Sequence, residues 1–508
     1  MDTLQNLLFG FSIALEPINI LYAFLGCLVG TLIGVLPGIG PAGGMSLLIP
    51  LIYGKSPASA VILLAGIYYG AMYGGSTTSI LLNLPGEAAS VVTTLDGYQM
   101  ARQGRAGPAL CIAAIGSYIA GTASVIFLML VGPPLAHFAL RFGPAESFAL
   151  MIFGLSTVSA LAGRSLIKGA VSTIFGLMLA TIGLDLPTGL QRYTFGIDKL
   201  MEGFDIIVAA IGLFAVSEIF MGIEEVRAGT LKRVKVSRIW LSLQDFRQSV
   251  GAIVRGTFLG FIVGAIPGAA HVTASFFSYT LEKKFSKNPE RFGKGEIRGV
   301  AGPESANNSA ASGALLPLLT LGLPASAVTA VLYGALLMVG IKPSPFLFQR
   351  NPDVIWGLVA SMYVGNIMLL ILNLPLVGIF IRILSVPPRW LFPIVLAVSF
   401  VGVYSVHNSG LDLILASLLG LIGYLMRKFE FPLAPVILGL VLGDLLEQSI
   451  RQALMISGGE LGILFQSAIA KTLFGLAVFV VVAPRLIQNL RGLRNRKMPK
   501  IGPTKRFL

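Results

Sequence analysis

Long apolar runs make up most of this chain, and short polar stretches interrupt them. About 20 consecutive apolar residues cross the hydrocarbon core of a bilayer as a helix. Runs of roughly this length recur from end to end, at 18–36, 58–73, 109–131, 205–222, 388–406 and 461–482. Several runs are longer, kinked or interrupted, so we expect roughly 10 to 14 membrane segments. The pattern predicts an all-α polytopic membrane protein.

Composition and charge support this fold class. Of the 508 residues, 55% are hydrophobic and only 12% are charged, whereas a soluble protein carries about 25% charged residues. The formal net charge is +14, but the basic residues collect in a few loops and in the tail, as the positive-inside rule expects of cytoplasmic segments. We therefore expect the chain to have a lipid bilayer and no nucleic acid among its partners. Cys27 and Cys111 lie in apolar runs, which predicts buried, reduced thiols.

Three pairs of matching segments predict an internal duplication. Residues 30–40 read "GTLIGVLPGIG" and residues 260–270 read "GFIVGAIPGAA", both fitting G-x3-G-x2-P-G. Further along, "LNLPGEA" (82–88) parallels "LGLPASA" (321–327), and "AIGSYIAGT" (114–122) parallels "VASMYVGNI" (359–367). Matches in a conserved order indicate repeats. We predict a first repeat half at 1–230, a basic cytoplasmic linker at 231–250, a second half at 251–490 and a basic cytoplasmic tail at 491–508.

Charged flanks predict that the two halves are inverted. Six basic residues lie at 225–250 and six at 282–300, on the two sides of the second proline–glycine motif, whereas the corresponding flanks of the first, 1–17 and 54–57, hold only Lys55. By the positive-inside rule, the second motif has both flanks in the cytoplasm and the first has both outside. Each motif then enters and leaves the membrane on one side. The alternative is an ordinary kinked span with one basic loop on the unexpected side.

The proline–glycine pairs predict broken helices at the membrane midplane. Proline removes a backbone donor and interrupts a helix, and glycine permits the turn that follows. Irregular backbone at this depth is tolerated where it is buried in protein or lines a cavity, and many secondary transporters bind substrate at such breaks. Since residues 251–281 are short for two full crossings, a hairpin or two short tilted helices fit best.

Two polar stretches, 73–88 and 302–313, supply the candidate ligands. Their hydroxyls and amides suit either a dehydrated sodium ion or a carboxylate held without a full countercharge. Carboxylates near membrane depth are functional candidates. Glu87 and Glu304 can each bind a cation, titrate with a coupled proton or cap a helix N-terminus. For Asn307 and Asn308 the alternative is hydrogen bonding between helices.

Other motifs carry less weight. The three histidines have no metal-ligand spacing, and His271 is of interest only because it follows Pro267 and Gly268. Glu218 lies near the end of an apolar run, where contact with interfacial water is expected. The "GKS" at 54–56 lacks the glycine that a phosphate-binding loop needs at position 49. With no protease or hydrolase signature either, we expect a protein that is not an enzyme and has no cofactor beyond a coupling cation, Na⁺ or H⁺.

Three segments together resemble a known family. They span 34–51, 63–110 and 293–337, and include "GVLPGIGPAGG", "YGGSTTSILLNLPGEA" and "GPESANNSAASG". The chain is similar, from about residue 23 to residue 447, to the large permease subunit of tripartite tricarboxylate transporters (TctA type). The resemblance implies a multi-pass permease of the bacterial inner membrane, working with a small membrane subunit (TctB type) and a periplasmic solute-binding protein (TctC type). It also implies import of citrate or related carboxylates driven by an ion gradient.

The motifs and the resemblance give one set of predicted substrate- or ion-binding residues. It comprises Pro37, Gly38, Gly40, Gly75, Ser76, Thr77, Thr78, Ser79, Asn83, Pro85, Gly86, Glu87, Pro267, Gly268, Glu304, Ser305, Asn307, Asn308 and Pro324. The family also suggests Asp96, Gly97 and Tyr98. The chain departs from the family pattern at Ala270-His271, Ser305 and Ala325, which leaves the particular substrate open. Two rival functions also stay open: a self-sufficient ion-coupled carboxylate carrier, and a channel-like component without coupled transport.

Overall fold

A computed structural model describes residues 3–36, 40–83, 85–161, 165–185, 188–226, 239–268, 270–383 and 388–496. The helices that precede the basic linker are α1 Thr3–Ala14, α2 Pro17–Val35, α3 Gly40–Leu48, α4 Pro57–Leu82, α5 Val91–Arg102, α6 Ala106–Ala139, α7 Pro144–Leu161, α8 Leu166–Ala180, α9 Ile206–Ala210 and α10 Ser217–Val226. A π-helical segment, Ile211–Val216, joins α9 to α10. Two short antiparallel strands, β1 Gly183–Asp185 and β2 Leu190–Arg192, form a hairpin before α9.

The helices that follow the linker are α11 Leu243–Gly264, α12 Ala270–Phe285, α13 Arg298–Leu321, α14 Ala327–Met338, α15 Leu347–Arg350, α16 Pro352–Asn373, α17 Val377–Ile383, α18 Pro388–His407, α19 Gly410–Lys428, α20 Ala434–Ile456 and α21 Ala468–Arg496. Short 3₁₀ turns at Ile49–Ile52, Ala88–Ser90, Asp198–Glu202, Pro289–Arg291 and Leu461–Phe465 complete the described elements.

Five of the described helices are long and apolar enough to cross a membrane: α2, α4, α6, α16 and α19. Six shorter apolar helices accompany them. The prediction of an all-α, multi-pass membrane protein is confirmed, while the count of 10 to 14 segments stays a prediction. In the predicted apolar run at 461–482, the α-helix starts only at Ala468, because Leu461–Phe465 form a 3₁₀ turn instead.

The second proline–glycine motif separates two helices that pack against each other as a hairpin. Arg255 on α11 pairs with Glu282 on α12, with Nε to Oε1 at 2.6 Å, so the chain reverses direction between them. The hairpin extends beyond the predicted 251–281 at both ends, because the first turn of α11 includes polar residues such as Asp245 and the last turn of α12 includes Lys283. The first motif has the same order, with α2 ending at Val35 and α3 starting at Gly40. Pro37 and Gly38 lie outside the described residues.

Glycines bring the backbones of α2 and α4 into close contact, and the same seam recurs between α11 and α13. A Cβ on Gly30 would lie 2.4 Å from the carbonyl oxygen of Ile67, and a Cβ on Gly260 would lie 2.3 Å from that of Ala306. The full correspondence pairs Gly26, Gly30 and Gly34 with Gly256, Gly260 and Gly264. Small residues allow such approach between membrane helices, so the repeated sequence motif is a repeated packing surface.

The segments after α4 and α13 also fold alike. Asn83 and Gly322 end these helices with left-handed backbone, at φ values of 59° and 69°. Glu87 and Ser326 then cap the next helical turns, and the backbone N–H of each donates to the side-chain hydroxyl three residues later. Reciprocal capping satisfies backbone donors that a helix start leaves free.

The two sets of helices interlock. Helix α6 packs against α11 and α13, and α16 packs against α2 and α4. Farther along, α8 packs against α20 and α19 packs against the α9–α10 segment. One large cluster of buried apolar side chains runs through both sets, so neither set has a separate core.

Candidate functional site

A cavity of about 390 Å³ lies between elements from both parts of the chain. The starts of four helices border it: Gly40 on α3, His271 on α12, Ala327 on α14 and Ala434 on α20. The backbone N–H groups at a helix start have no partner within the helix, and the helix dipole is positive there. Four such ends around one cavity create a setting that favours an anion.

Glu87 contributes a carboxylate to this cavity. Its side chain is 6% exposed and caps the turn Ala88–Ser90. Gly75 on α4 makes room for it, because a Cβ there would lie 2.6 Å from Glu87 Cγ. The amide of Asn307 on α13 donates to Glu87 Oε1, so this carboxylate joins the two sets of helices.

Glu304 also joins the two sets of helices, away from the cavity lining. Its oxygens accept hydrogen bonds from Ser76 on α4, at 2.5 Å, and from Thr93 on α5. It lies in the second turn of α13, which begins at Arg298. The interpretation of Glu304 as a helix cap is therefore wrong, while Glu87 does act as one.

The neighbours of Asn307 face a different helix. Asn308 Nδ2 donates to Ser117 Oγ on α6 at 2.6 Å, as the helix–helix alternative predicted. Ser305 lies where a Cβ on Gly116 of α6 would come within 3.0 Å of its Oγ. Ser305 Oγ and the Oδ1 atoms of Asn307 and Asn308 are buried and have no hydrogen-bond partner among the described residues.

Two hydroxyls of the first polar stretch, those of Thr78 and Ser79, bond within their own segment. Ser79 Oγ lies 3.0 Å from the Gly75 carbonyl oxygen and 2.8 Å from Ser90 Oγ, and its single proton serves these two acceptors. Thr78 Oγ1 donates to the same carbonyl at 3.3 Å. Thr77 is buried on α4, and Asn83 is exposed at its end. Both polar stretches thus lie on continuous helix up to Leu82 and Leu321.

The structure divides the predicted set into residues that line the cavity and residues that do not. Gly40, Pro85, Gly86, Glu87 and Gly268 line it. Asn307 is one hydrogen bond away, through Glu87. The other described members, Gly75, Ser76, Thr77, Thr78, Ser79, Asn83, Pro267, Glu304, Ser305, Asn308 and Pro324, are not among its described lining residues. Gly268 N donates to the carbonyl of Ala325 at 2.8 Å, which ties the helix break to the loop containing Pro324.

Sequence reasoning missed three groups in the cavity lining. His271 follows the helix break, Ser326 caps α14, and Glu218 pairs with Arg427 across α10 and α19. Glu218 was expected at the membrane interface, and its partner lies 209 residues later in the chain. The position of His271 beside Pro267 and Gly268 was the one signal available from sequence.

Comparison with known proteins agrees with this architecture. The family model described as "Tripartite tricarboxylate transporter TctA family" matches residues 20–438. The chain belongs to the TctA family. Every described residue that lines the cavity, from Gly40 to Ala434, falls inside the matched span. The TctA family is a family of transporters, so the cavity belongs to a multi-pass transport protein.

Two relatives from Agrobacterium vitis extend the similarity. An uncharacterized 52.8 kDa protein in the TAR-I ttuC' 3' region is 46% identical over 496 residues, covering 98% of this chain and 99% of the relative. An uncharacterized protein in the TAR-II ttuC' 3' region is 44% identical over 237 residues, covering 47% of this chain and 98% of that relative. No solved structure matches this TctA-family chain.

Asp96, which the family resemblance suggested, has a positioning role outside the cavity. Its buried carboxylate accepts hydrogen bonds from the backbone N–H groups of Gly293, Gly295 and Glu296 at 2.7–3.0 Å. It also accepts one from Tyr279 Oη at 2.9 Å. A residue of α5 thereby holds the basic loop between α12 and α13.

A second cavity of about 670 Å³ lies beside the β-hairpin and the C-terminal half of α20. Its charged groups are largely paired with one another. Arg451 contacts Asp185 at 3.1 Å and Glu447 at 2.6 Å, and Arg192 contacts Glu447 at 2.9 Å. This network joins the β-hairpin to α20. The lining of this second cavity extends to Met455, past residue 438, where the match to the family model ends.

Proposed function

We propose that this TctA-family chain is the large permease subunit of a tripartite secondary transporter in a bacterial inner membrane. It imports tricarboxylates, citrate-like, or related carboxylates that a periplasmic binding protein delivers, and it works with a small membrane subunit. An ion gradient drives the import. Family membership supports the partners, and the cavity bordered by four helix starts is the observation that carries the substrate class.

The size and character of the cavity suit a small organic anion. Its volume of about 390 Å³ falls within the roughly 300–1,000 Å³ usual for small-molecule sites. Helix N-termini at broken helices hold substrate carboxylates in secondary transporters. The break after α11 and the start of α12 supply such an end here, and Ser326 at the start of α14 adds a hydroxyl.

The charges of the side chains in the cavity support cation coupling. Glu87 and Glu218 contribute two carboxylates, whereas Arg427 contributes one guanidinium, which pairs with Glu218. An arriving carboxylate therefore meets an excess of negative side-chain charge at Glu87. A proton on Glu87, or a sodium ion beside it, removes that repulsion, so anion and cation bind best together.

We further propose that the two sets of helices are inverted repeats, with halves at 1–230 and 251–490. The repeated glycine seams, the repeated caps and the interlocked packing support duplication, and the basic flanks support inversion. The basic linker and the basic tail then lie in the cytoplasm.

Uptake of radiolabelled citrate into proteoliposomes tests the function. The vesicles contain this chain and its small subunit, with or without the binding protein outside, under an imposed sodium or proton gradient. We expect accumulation that needs both the binding protein and one gradient. Accumulation without the binding protein would favour a self-sufficient carrier. Citrate flux that no ion gradient changes would indicate a channel-like component.

A further inference from the structure

His271 occupies a position in the cavity where it can touch the substrate. It is the second residue of α12, directly after the helix break, and it is 7% exposed. Among the described residues, the ionisable side chains that line this cavity are Glu87, Glu218, His271 and Arg427. Arg427 is paired with Glu218, so His271 is the basic side chain without an acidic partner in that lining.

The buried hydroxyl of Tyr68 fixes one side of the histidine ring. Tyr68 lies on α4, and its Oη is 2.6 Å from His271 Nε2. The two rings meet edge to face, with centroids 5.7 Å apart. A tyrosine hydroxyl that donates to Nε2 requires the proton of a neutral imidazole to sit on Nδ1.

The other ring nitrogen of His271, Nδ1, is available to a molecule in the cavity. His271 makes no further side-chain hydrogen bond among the described residues, and Nδ1 is not among their buried, unpartnered atoms. A polar atom that is neither bonded nor enclosed at a cavity lining is open to whatever fills that cavity. When Tyr68 donates to Nε2, the imidazole proton sits on Nδ1, and Nδ1–H is a donor in a space otherwise favourable to anions.

We propose that His271 determines substrate specificity by donating a hydrogen bond from Nδ1–H to a carboxylate oxygen of the transported anion. In this proposal Tyr68 Oη donates to His271 Nε2, so Tyr68 is the positioning residue that sets the tautomer and holds the ring. This inference rests on the proposed function, because it requires a carboxylate in the cavity. A neutral donor binds a carboxylate without adding a fixed positive charge, so release does not require breaking a buried ion pair.

Matched substitutions separate the donor from the bulk of the ring. His271→Asn places an amide N–H near the position of Nδ1, whereas His271→Gln places its amide near Nε2, against Tyr68. Tyr68→Phe leaves the histidine in place and removes the hydroxyl that orients it. Each variant is assembled with its partners, and citrate exchange is measured at equal ion concentrations on both sides, which gives KM and Vmax.

We expect His271→Gln to raise KM about tenfold or more, as for loss of a hydrogen bond to a charged group, with Vmax little changed. His271→Asn should stay within about threefold of the unmodified protein, and Tyr68→Phe should raise KM by an intermediate factor. Monodisperse size-exclusion profiles establish that each variant is folded. A fourth variant, His271→Ala, should match His271→Gln, since both lack the donor.

Three outcomes would overturn the proposed role of His271, and one of them would also overturn the proposed function. If the unmodified assembly exchanges citrate and all four variants keep its KM, the role of His271 is wrong and the proposed function stands. Equal rises in KM for the Asn and Gln variants would also reject the Nδ1 donor, in favour of ring packing. If the unmodified assembly neither exchanges nor accumulates citrate or succinate, the proposed function fails and this inference fails with it.

Discussion

Glu87 and Glu304 are similar residues in different surroundings. Both are buried, and both accept hydrogen bonds from the other set of helices. Glu87 lines the cavity, whereas Glu304 is enclosed by hydroxyls from α4 and α5. A carboxylate that must exchange a cation with the substrate site needs access to that site. At the residue scale, Glu87 is therefore the candidate for coupling and Glu304 for holding the helices together.

Replacing Glu87 should separate coupling from substrate exchange. The amide in Glu87→Gln is neutral and resembles a protonated carboxyl, but it neither releases a proton nor attracts a sodium ion. We expect this variant to lose gradient-driven accumulation of citrate at least tenfold while it keeps citrate exchange at equal ion concentrations. Both activities are measured in the same proteoliposomes.

Glu304→Gln is the matched control, because it makes the same chemical change outside the described cavity lining. It should slow accumulation and exchange together and leave the dependence on the gradient intact. Normal accumulation by Glu87→Gln, or selective loss of accumulation in Glu304→Gln, would show that the coupling carboxylate has been misassigned.

At the element scale, the polar stretches form helix–helix contacts, whereas the helix breaks supply the irregular backbone. "GGSTTS" and "GPESANNSAASG" lie on continuous helices that pack against neighbours, and the irregular backbone follows them near Pro85 and Pro324. Glycines on α2 and α11 allow the hairpin helices to approach α4 and α13. The position of the cavity depends on these seams, because they set where each broken helix starts.

Added methyl groups at the seams should destabilise the protein. Gly30→Ala and Gly260→Ala each place a Cβ within 2.4 Å of a backbone oxygen on the facing helix. Overpacking of this kind costs about 1–3 kcal/mol, so we expect each variant to lower the Tm of the detergent-solubilised protein by several degrees. Thermal unfolding followed by size exclusion measures the change.

Gly475→Ala provides a helical control, since a Cβ at Gly475 on α21 meets no atom within 4 Å. Alanine favours an exposed helix by up to about 1 kcal/mol over glycine, so its Tm should be unchanged or higher. A Tm of Gly30→Ala and Gly260→Ala equal to that of the control would mean that the helices separate easily and that the seams do not fix the cavity.

At the scale of the whole molecule, the two sets of helices cannot be separated into independent halves. Helix α6 packs against α11 and α13, and α16 packs against α2 and α4. The hydrogen bonds Asn307–Glu87 and Ser76–Glu304 also cross between the sets. Because each set packs against helices of the other, residues from both sets surround one cavity. Any movement that exposed the cavity to the opposite side of the membrane would therefore involve both sets of helices.

Single cysteines test the proposed inversion. Trp240→Cys and Lys287→Cys lie on the two flanks of the second hairpin, and Tyr53→Cys lies after the first; all three positions are exposed. Cys27 and Cys111 are replaced by alanine to remove the native thiols. In intact cells, a membrane-impermeant maleimide should label Tyr53→Cys from outside and label the other two only after the membrane is opened. Labelling of Trp240→Cys and Lys287→Cys on opposite faces would reject the inverted hairpin.

Much of the fold could be read from local sequence. Apolar runs predicted helices because each must satisfy its backbone within lipid, and the proline–glycine pair at 267–268 predicted the break that the structure contains. The polar stretches at 73–88 and 302–313 were predicted to supply ligands of a site. Their pairing was not predictable, since Asn307 reaches Glu87 across 220 positions and only the three-dimensional packing brings them together.

The sequence by itself determined that this is an all-α membrane protein, indicated a transporter through the family resemblance of its motifs, and predicted two related sets of helices with candidate carboxylates at Glu87 and Glu304. These conclusions rest on composition, periodicity and motifs, which act over one helix or one turn. Only the tertiary structure decided which candidates face a cavity, that His271 lines it in contact with Tyr68, and that Arg427 is paired with Glu218. Those facts depend on contacts between distant helices, where the direction of each side chain is set by packing.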